Sequence, residues 1–519
     1  MRGVTGARAP MTLEIRRRAF LQMLALGAAG VGMRADWASA ADADSVTIAW
    51  PNDIPTWDPN QRFSPDSQPI FKMVFDQPIS QDPQLRLVPH LMKSWELAPD
   101  ALSMQVELRD DAVFHNGDSV TTEDFRYTFF ERTRPGSKLD TANSWKKVQE
   151  IEIHSPTKAT MRFSDATPTA PQWMAFLGSY VVPKRYLESV GVEGFVKKPI
   201  GSGPYRLVDY ELNSRMIFER NDRYWGPKPR IARVTIQIVK DPSARIAAIQ
   251  SGQVDLTVNV PVREALRFQQ EAGFAGELNP MTRVVLLQVR SDLAFADDNV
   301  RLAAHHAIDK EALSKAFYGG AAVALSVPAT PGTPGYLADF QFKHDPNRAK
   351  ELLAKSGFGP DKPAKIGFAS TNGQFPSDYD IARAIVQMWK RVGIEANLEV
   401  IEYGKYFELN RGSKLPEATL YSWENSTGDP EMFAGNLLNP KLPFSAWKDM
   451  AVGDKVVALM NVADYDTRIA GYKALNKFAV ETGATIPLLQ SVQTLVRKKG
   501  LTYTKYGNGW VLPQSMVWS

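Results

Sequence analysis

Two strand–helix–strand runs, set about a hundred residues apart, constrain this chain more than anything else in it. In the first, alternation predicts a strand over 234–239, a helix over 243–250 closed by Gly252, and a strand over 254–258. In the second, a strand over 365–369 leads through an irregular loop, 370–377, to an amphipathic helix over 379–392 and a strand over 394–401. Parallel neighbours need a crossover of about a dozen residues or more, and a helix is the usual one, so each run implies an α/β layer. At 519 residues the chain also exceeds what one compact core organises. A helix at 262–271 and a strand at 283–289 extend the first run. Helices at 299–308, 309–317 and 347–354 precede the second, the last with Asp345 as cap and Pro346 in its first turn. Helices at 454–460 and 466–481 and a strand at 485–497 follow. Two α/β halves joined near 284–292 and 488–498 describe a bilobed protein crossed twice by the chain. A cleft between such lobes is a usual place for a small ligand, which closure would bury.

Composition matters chiefly through where the charge lies. The formal charge is +4, and the first 40 residues carry six Arg against Glu14 and Asp36, which accounts for all of it. The remainder is balanced, so no broad basic field for nucleic acid is expected. Those 40 residues read as an export signal. Arg16-Arg17-Arg18 precedes a short apolar run over 24–33 and the small residues Ala38-Ser39-Ala40, with cleavage expected near Ala40. Arg17-Arg18-Ala19-Phe20-Leu21 resembles a twin-arginine signal. The apolar run is about half of the roughly 20 residues a bilayer span needs, so a retained anchor is not expected. The chain has no cysteine, which removes disulfides, a thiolate nucleophile and a lipid-modified Cys together. A soluble periplasmic protein is the expectation.

Few residues suggest catalysis. His115 has no second ligand at metal spacing, and His305 and His306 point about 100° apart on a helix, so they cannot chelate one ion together. Ser202 lies in a Gly/Pro loop, 199–205, that opens a strand, so it lacks the strand-to-helix elbow of a hydrolase nucleophile. The same loop lacks the helix N-terminus that would cradle a phosphate. Thr121 and Asp124 are spaced as a capping box, which assigns Asp124 to helix capping. An enzyme is not expected, a secreted hydrolase is disfavoured, and no cofactor or metal is called for.

The stretch 421–433 carries a different chemistry. Trp423, Asn425, two hydroxyls and Asp429 crowd into a segment without apolar period, and Gly428-Asp429-Pro430 marks a turn. Asp429 reads either as a cap of the next segment or as a carboxylate that grips an ammonium group. Trp57, in an irregular Pro-rich loop, reads either as a core-edge aromatic or as a stacking wall for a ligand.

Several segments together resemble one family. Leu108-Arg109 with Val113-Phe114-His115-Asn116-Gly117, the loop Pro199-Ile200-Gly201-Ser202-Gly203-Pro204-Tyr205 and Asn221-Asp222-Arg223-Tyr224-Trp225 are similar to motifs of the family 5 extracellular solute-binding proteins. So are Ile249-Gln250-Ser251-Gly252-Gln253-Val254-Asp255, Ala307-Ile308-Asp309, Asp345-Pro346 and Val392-Gly393-Ile394. These are the dipeptide, oligopeptide and nickel-type receptors of ABC importers. The resemblance implies a class II periplasmic-binding fold, two lobes with a double-crossing hinge and an extra peripheral domain. Its implied layout is lobe I over 41–284 with the peripheral domain at 80–200, lobe II over 285–495, and a return to lobe I over 496–519. It implies a monomer that takes a peptide-like solute and delivers it to an inner-membrane ABC permease. The alternative is a non-peptide polar solute or a metal chelate. Asp429 matches the family's ammonium-binding position, with Trp423, Asn425, Trp57 and Tyr403 as further lining residues. Dipeptide-specific members place an Arg in the loop before the long lobe II helix. The loop 370–377 holds no basic residue here, so no partner for a ligand carboxylate is evident.

Overall fold

Alternate Val and Ile side chains at Val46 and Ile48 turn into the core and draw Ser45–Trp50 between two parallel neighbours, Arg233–Ile238 and Leu256–Val258. The computed structural model describes residues 44–519 except Phe63, Leu177, Pro443 and Phe444; the side chains of Tyr403 and Phe407 are likewise outside the description. The expected export signal and its cleavage near Ala40 lie outside the described residues. Among the described residues, no helix is long and apolar enough to cross a membrane.

Ten strands form one sheet. Its order runs Ile394–Val400, Ala364–Ser370, Ala418–Glu424, Phe274–Val289, Thr485–Lys498, Leu256–Val258, Ser45–Trp50, Arg233–Ile238, Arg215–Arg220, Tyr205–Glu211. The second strand–helix–strand run pairs in parallel, Ala364 opposite Ile394 through Ser370 opposite Val400, with the helix Asp378–Lys390 as crossover. The lobes meet at two long strands. Phe274–Val289 and Thr485–Lys498 run antiparallel from one lobe into the other, and their register breaks between Pro280 and Val284. Pro lacks the N–H that a central ladder needs, so the break falls where the ladder is weakest and leaves a bend between the lobes.

Burial divides along the same line. One core gathers side chains from Val284 to Val492 around Trp389 and Tyr318. A second joins Val46–Leu256 to Leu495, Val511 and Met516, so the chain's end packs back on its beginning. A third lies under an antiparallel sheet of Met92–Leu97, Ser103–Leu108, Lys158–Phe163 and Val148–Ser155. The architecture is the two-lobed α/β fold with its hinge and its extra domain that the resemblance implied.

The motifs of the first half are mostly joints. The Thr121 N–H donates to Asp124 (2.9 Å), as a capping box requires, and the second Asp124 oxygen accepts from Lys184 N–H (2.9 Å). His115 Nε2–H donates to the Gly203 carbonyl (3.0 Å), and the His115 backbone N–H donates to the Gly201 carbonyl (2.8 Å). Burial pushes its imidazole down to about 4, so it is neutral in these contacts. The two glycines need to be glycines because a Cβ would stand 2.0 Å from the Val74 carbonyl at Gly201 and 2.6 Å from its carbonyl carbon at Gly203. The 199–205 loop is therefore a close backbone splice against the helix Gln68–Val74, and Gly203 N–H caps it through Val74 O (3.0 Å).

Candidate functional site

A cleft of about 1620 Å³ opens between the lobes. Lobe I supplies Trp50, the short 3-10 helix Pro65–Ser67 and the segment 258–263. Lobe II supplies 371–380 and 400–402, and Arg283, Gln493 and Trp510 come from the hinge strands and the returning tail. Both a large apolar surface and scattered polar groups are present, as in a site that holds a small solute and orients it.

The loop over 371–377 owes its shape to Asp378. The carboxylate of Asp378 accepts from Thr371 Oγ1 (2.8 Å), Gly373 N–H (2.9 Å) and Gln374 N–H (2.9 Å). The side chain of Gln374 then sews the loop to the neighbouring strand, donating to Ser422 Oγ (2.8 Å) and accepting from Ser422 N–H (3.2 Å). Ser377 closes the loop at φ 64°, a left-handed conformation that costs a non-glycine residue free energy. The loop takes this shape through bonds within the protein alone.

Behind it lies an ion pair. Arg283 and Glu424 sit directly opposite on Phe274–Val289 and Ala418–Glu424, and Arg283 Nη2 donates to Glu424 Oε2 at 2.6 Å. Ser426 Oγ donates to the other Glu424 oxygen. Across the cleft from lobe I comes Asp66. Its side chain is open to the cleft, yet protein surrounds it closely enough that lost hydration raises its carboxyl above the usual range. The attraction of Arg283 opposes that rise and the repulsion of Glu424 adds to it. Lys240, Arg263 and Lys315 stand exposed at the mouth.

The residues expected to form the site are placed elsewhere. Asp429 is buried, and both its oxygens accept from Arg468, at 2.9 and 2.8 Å, with the two side chains only 4% and 1% exposed. Its Oδ1 also accepts from Glu431 N–H (2.9 Å). In this structure the carboxylate already holds a cation, and that cation belongs to the protein. Trp423 and Asn425 share the same turn. Trp423 Nε1 donates to Met432 O (3.0 Å), and Asn425 accepts from Thr427 Oγ1 (3.3 Å). These three come together, though not on the cleft wall. Trp57 does not join them: it is 1% exposed in the lobe I core, edge-on to Tyr210 and Phe218, because its loop folds inward on the Asp58–Arg132 ion pair. Of the two readings of Trp57, the structure selects core. Tyr403 opens the helix Tyr403–Arg411, but its side chain lies outside the described residues; its neighbour Glu402 lines the cleft.

The turn instead meets the peripheral domain. Gln81 Nε2 donates to Ser426 O (2.9 Å), and Thr169 Oγ1 donates to Glu431 Oε2 (3.1 Å). Burial first, and then the Asp429 charge, push the Glu431 carboxyl up to about 7, against the pull of Arg468. Stretch 421–433 also contains more regular structure than its lack of period suggested. Ala418–Glu424 is a central strand buried on both faces through Ser422, so no alternation is written into it, and Glu431–Leu437 is a short helix.

Asp66, Arg283 and Glu424 were missed by sequence reasoning. A signal for two of them exists: Arg283 directly precedes the apolar run 284–287 and Glu424 ends the apolar strand Ala418–Glu424, and a cross-strand partner is the cheapest way to keep such charges. Asp66 leaves only the Pro65-Asp66-Ser67 turn composition.

Among known proteins, residues 86–442 match the family model described as bacterial extracellular solute-binding proteins, family 5, middle. The chain is 29% identical over 349 residues to the nickel-binding periplasmic protein of Escherichia coli strain K12, covering 64% of this chain and 65% of that protein, just under two thirds of its length. It is 25% identical over 421 residues to the dipeptide-binding protein of the same strain, covering 75% and 78%. The solved structure of the periplasmic binding protein DppA from Helicobacter pylori in complex with the peptide STSA superposes with a TM-score of 0.78, at 20% identity, over 91% of this chain and 98% of that one.

Proposed function

The chain belongs to the family 5 bacterial extracellular solute-binding proteins, and from that premise we propose that it captures a peptide-like solute between its lobes and delivers it to the permease of an ABC importer. The observation that carries this reading is the interlobe cleft of about 1620 Å³, walled by both lobes and spanned by two bending strands. The volume suits a solute of several residues rather than a single ion. The pre-set loop of Asp378 and Gln374 offers polar groups along one wall, and Trp50 and Trp510 offer apolar area. A relative that bears the name of a dipeptide receptor and a fold neighbour solved with a tetrapeptide support the peptide class. The protein acts by binding and closure and is no enzyme. It works in the periplasm as a monomer after twin-arginine export and removal of the first 40 or so residues.

A metal chelate is the second reading, favoured by the likeness to a nickel-binding protein. Among the described residues no three His, Cys, Asp or Glu side chains gather as a metal site, so such a solute would bring its own donor atoms. One experiment separates the readings. Protein purified natively from its own periplasm is denatured, and the released solute is weighed by mass spectrometry. Short peptides are the expected masses; a metal with its chelator, or a product of turnover, would replace the reading.

A further inference from the structure

Among the charged side chains that line the cleft are Asp66, Arg283 and Glu424. Glu424 is spoken for: one oxygen takes Arg283 and the other takes Ser426. Asp66 stands on the opposite wall with no hydrogen bond or ion pair to its carboxylate among the described residues. Arg283 and Glu424 are near enough for their fields to reach it. The other carboxylates that line the cleft are engaged as well, Asp378 by its own loop, Asp380 by Arg383 and Glu402 by the Lys405 N–H, so among the described residues Asp66 is the one left without a partner.

The backbone that presents Asp66 is firmly set. Pro65 and Pro69 restrict the chain on either side. Ser64 and Ser67 hydroxyls meet at 2.7 Å, and Gln68 donates back to Ser64 O (3.2 Å) while its own carbonyl accepts from the buried Tyr180 hydroxyl (2.7 Å). The helix Gln68–Val74 that follows is buried throughout. A surface carboxylate with no task needs none of this support. A carboxylate without a partner on the wall of a cleft is free to take a charge-assisted hydrogen bond from a cation that enters.

We infer that Asp66, and not Asp429, receives the cationic end of the solute, an ammonium or guanidinium group, in the cleft. The inference rests on the peptide reading above and names the group that reads the ligand's amine. Arg283 has a different part: it is held by Glu424, which leaves Asp66 as the cleft carboxylate without a protein partner among the described residues.

The test uses the full chain and a mixed tripeptide library, offered once with free amino termini and once N-acetylated, with bound peptides counted by native mass spectrometry. Wild type is expected to retain free-amine peptides about 10- to 100-fold over acetylated ones, the range of one charge-assisted hydrogen bond. D66N is expected to lose that preference, and D66E, which keeps the charge, to recover part of it. Discrimination that survives in D66N overturns the inference. So does a wild-type protein that retains free-amine and acetylated peptides alike, because Asp66 then reads no charge. Retention of neither library by wild type overturns the peptide reading itself.

Discussion

The Asp429–Arg468 pair shows how a single residue's role is decided by what reaches it first. Two parallel hydrogen bonds between fully buried partners form the most directional ion pair in the turn. Removing one partner strands the other's charge in the interior, so R468A and D429A should each destabilise the protein by about 3–5 kcal/mol in urea unfolding. Solute affinity measured well below the transition should change little. A variant that keeps its stability but loses affinity would return Asp429 to the role of ammonium receptor. The neighbouring Glu431 makes a pH prediction. Its carboxyl is raised in the folded protein to about 7 from an ordinary 4.5, so the folded state holds this proton more tightly than the unfolded one. By linkage, the stability from this group is complete below about pH 4.5 and is lost as pH rises through 7. The groups that face it are Asp429, Arg468, Tyr472, Thr169 and, at longer range, Lys147; Arg468 favours the charged form most, with Thr169 and Lys147 adding to it. Unfolding free energies across pH 4.5–7 should therefore fall less steeply in E431Q than in wild type; an identical slope would show that Glu431 is ionised when buried.

At the scale of elements, the two glycines of the 199–205 loop make the sharpest structural prediction. A methyl group at Gly201 would overlap the Val74 carbonyl, and backbone cannot step aside as a side chain end can. G201A should cost at least about 1–3 kcal/mol in thermal or chemical unfolding, and more if the helix Gln68–Val74 has to shift with its attached Asp66. A neutral G201A would mean that the splice is looser than its geometry. These elements also show what can be read from sequence and what cannot. Both strand–helix–strand runs are legible because their hydrophobic period switches from two to 3.6 and back, and local caps such as Thr121–Asp124 are legible because both partners lie within one turn. Arg283–Glu424 and Asp429–Arg468 are not. Their members are 141 and 39 residues apart, and each pairing exists only once strand register or helix packing is set. The stretch 421–433 was visible as a concentration of polar chemistry, but composition has no direction. Only the sheet decides that Glu424 looks into the cleft while Asp429 looks into the lobe. Trp57 illustrates the same limit from the apolar side, since an aromatic in a Pro-rich loop serves equally as wall or core until Arg132 pulls the loop inward.

For the whole molecule, the arrangement is two cores, a pair of long strands whose register breaks between Pro280 and Val284, and a charged cleft between the lobes. Closure would bury the solute against Asp66 on one side and the 371–377 loop on the other. The far contacts, Gln81 with Ser426 and Thr169 with Glu431, tie the peripheral domain to lobe II and set how the lobes approach. Ligand can shift that equilibrium only by binding one lobe arrangement better than the other, so the solute has to touch both walls. The proposed contact puts the solute in this cleft with its cationic end on Asp66. A crystal structure of the protein with its own released solute would show it. Density is expected between the lobes, with a nitrogen of the solute within hydrogen-bonding distance of Asp66 and Asp429 still clasped by Arg468. Solute density at the 425–431 turn, with Asp429 turned away from Arg468 to meet it, would contradict the account.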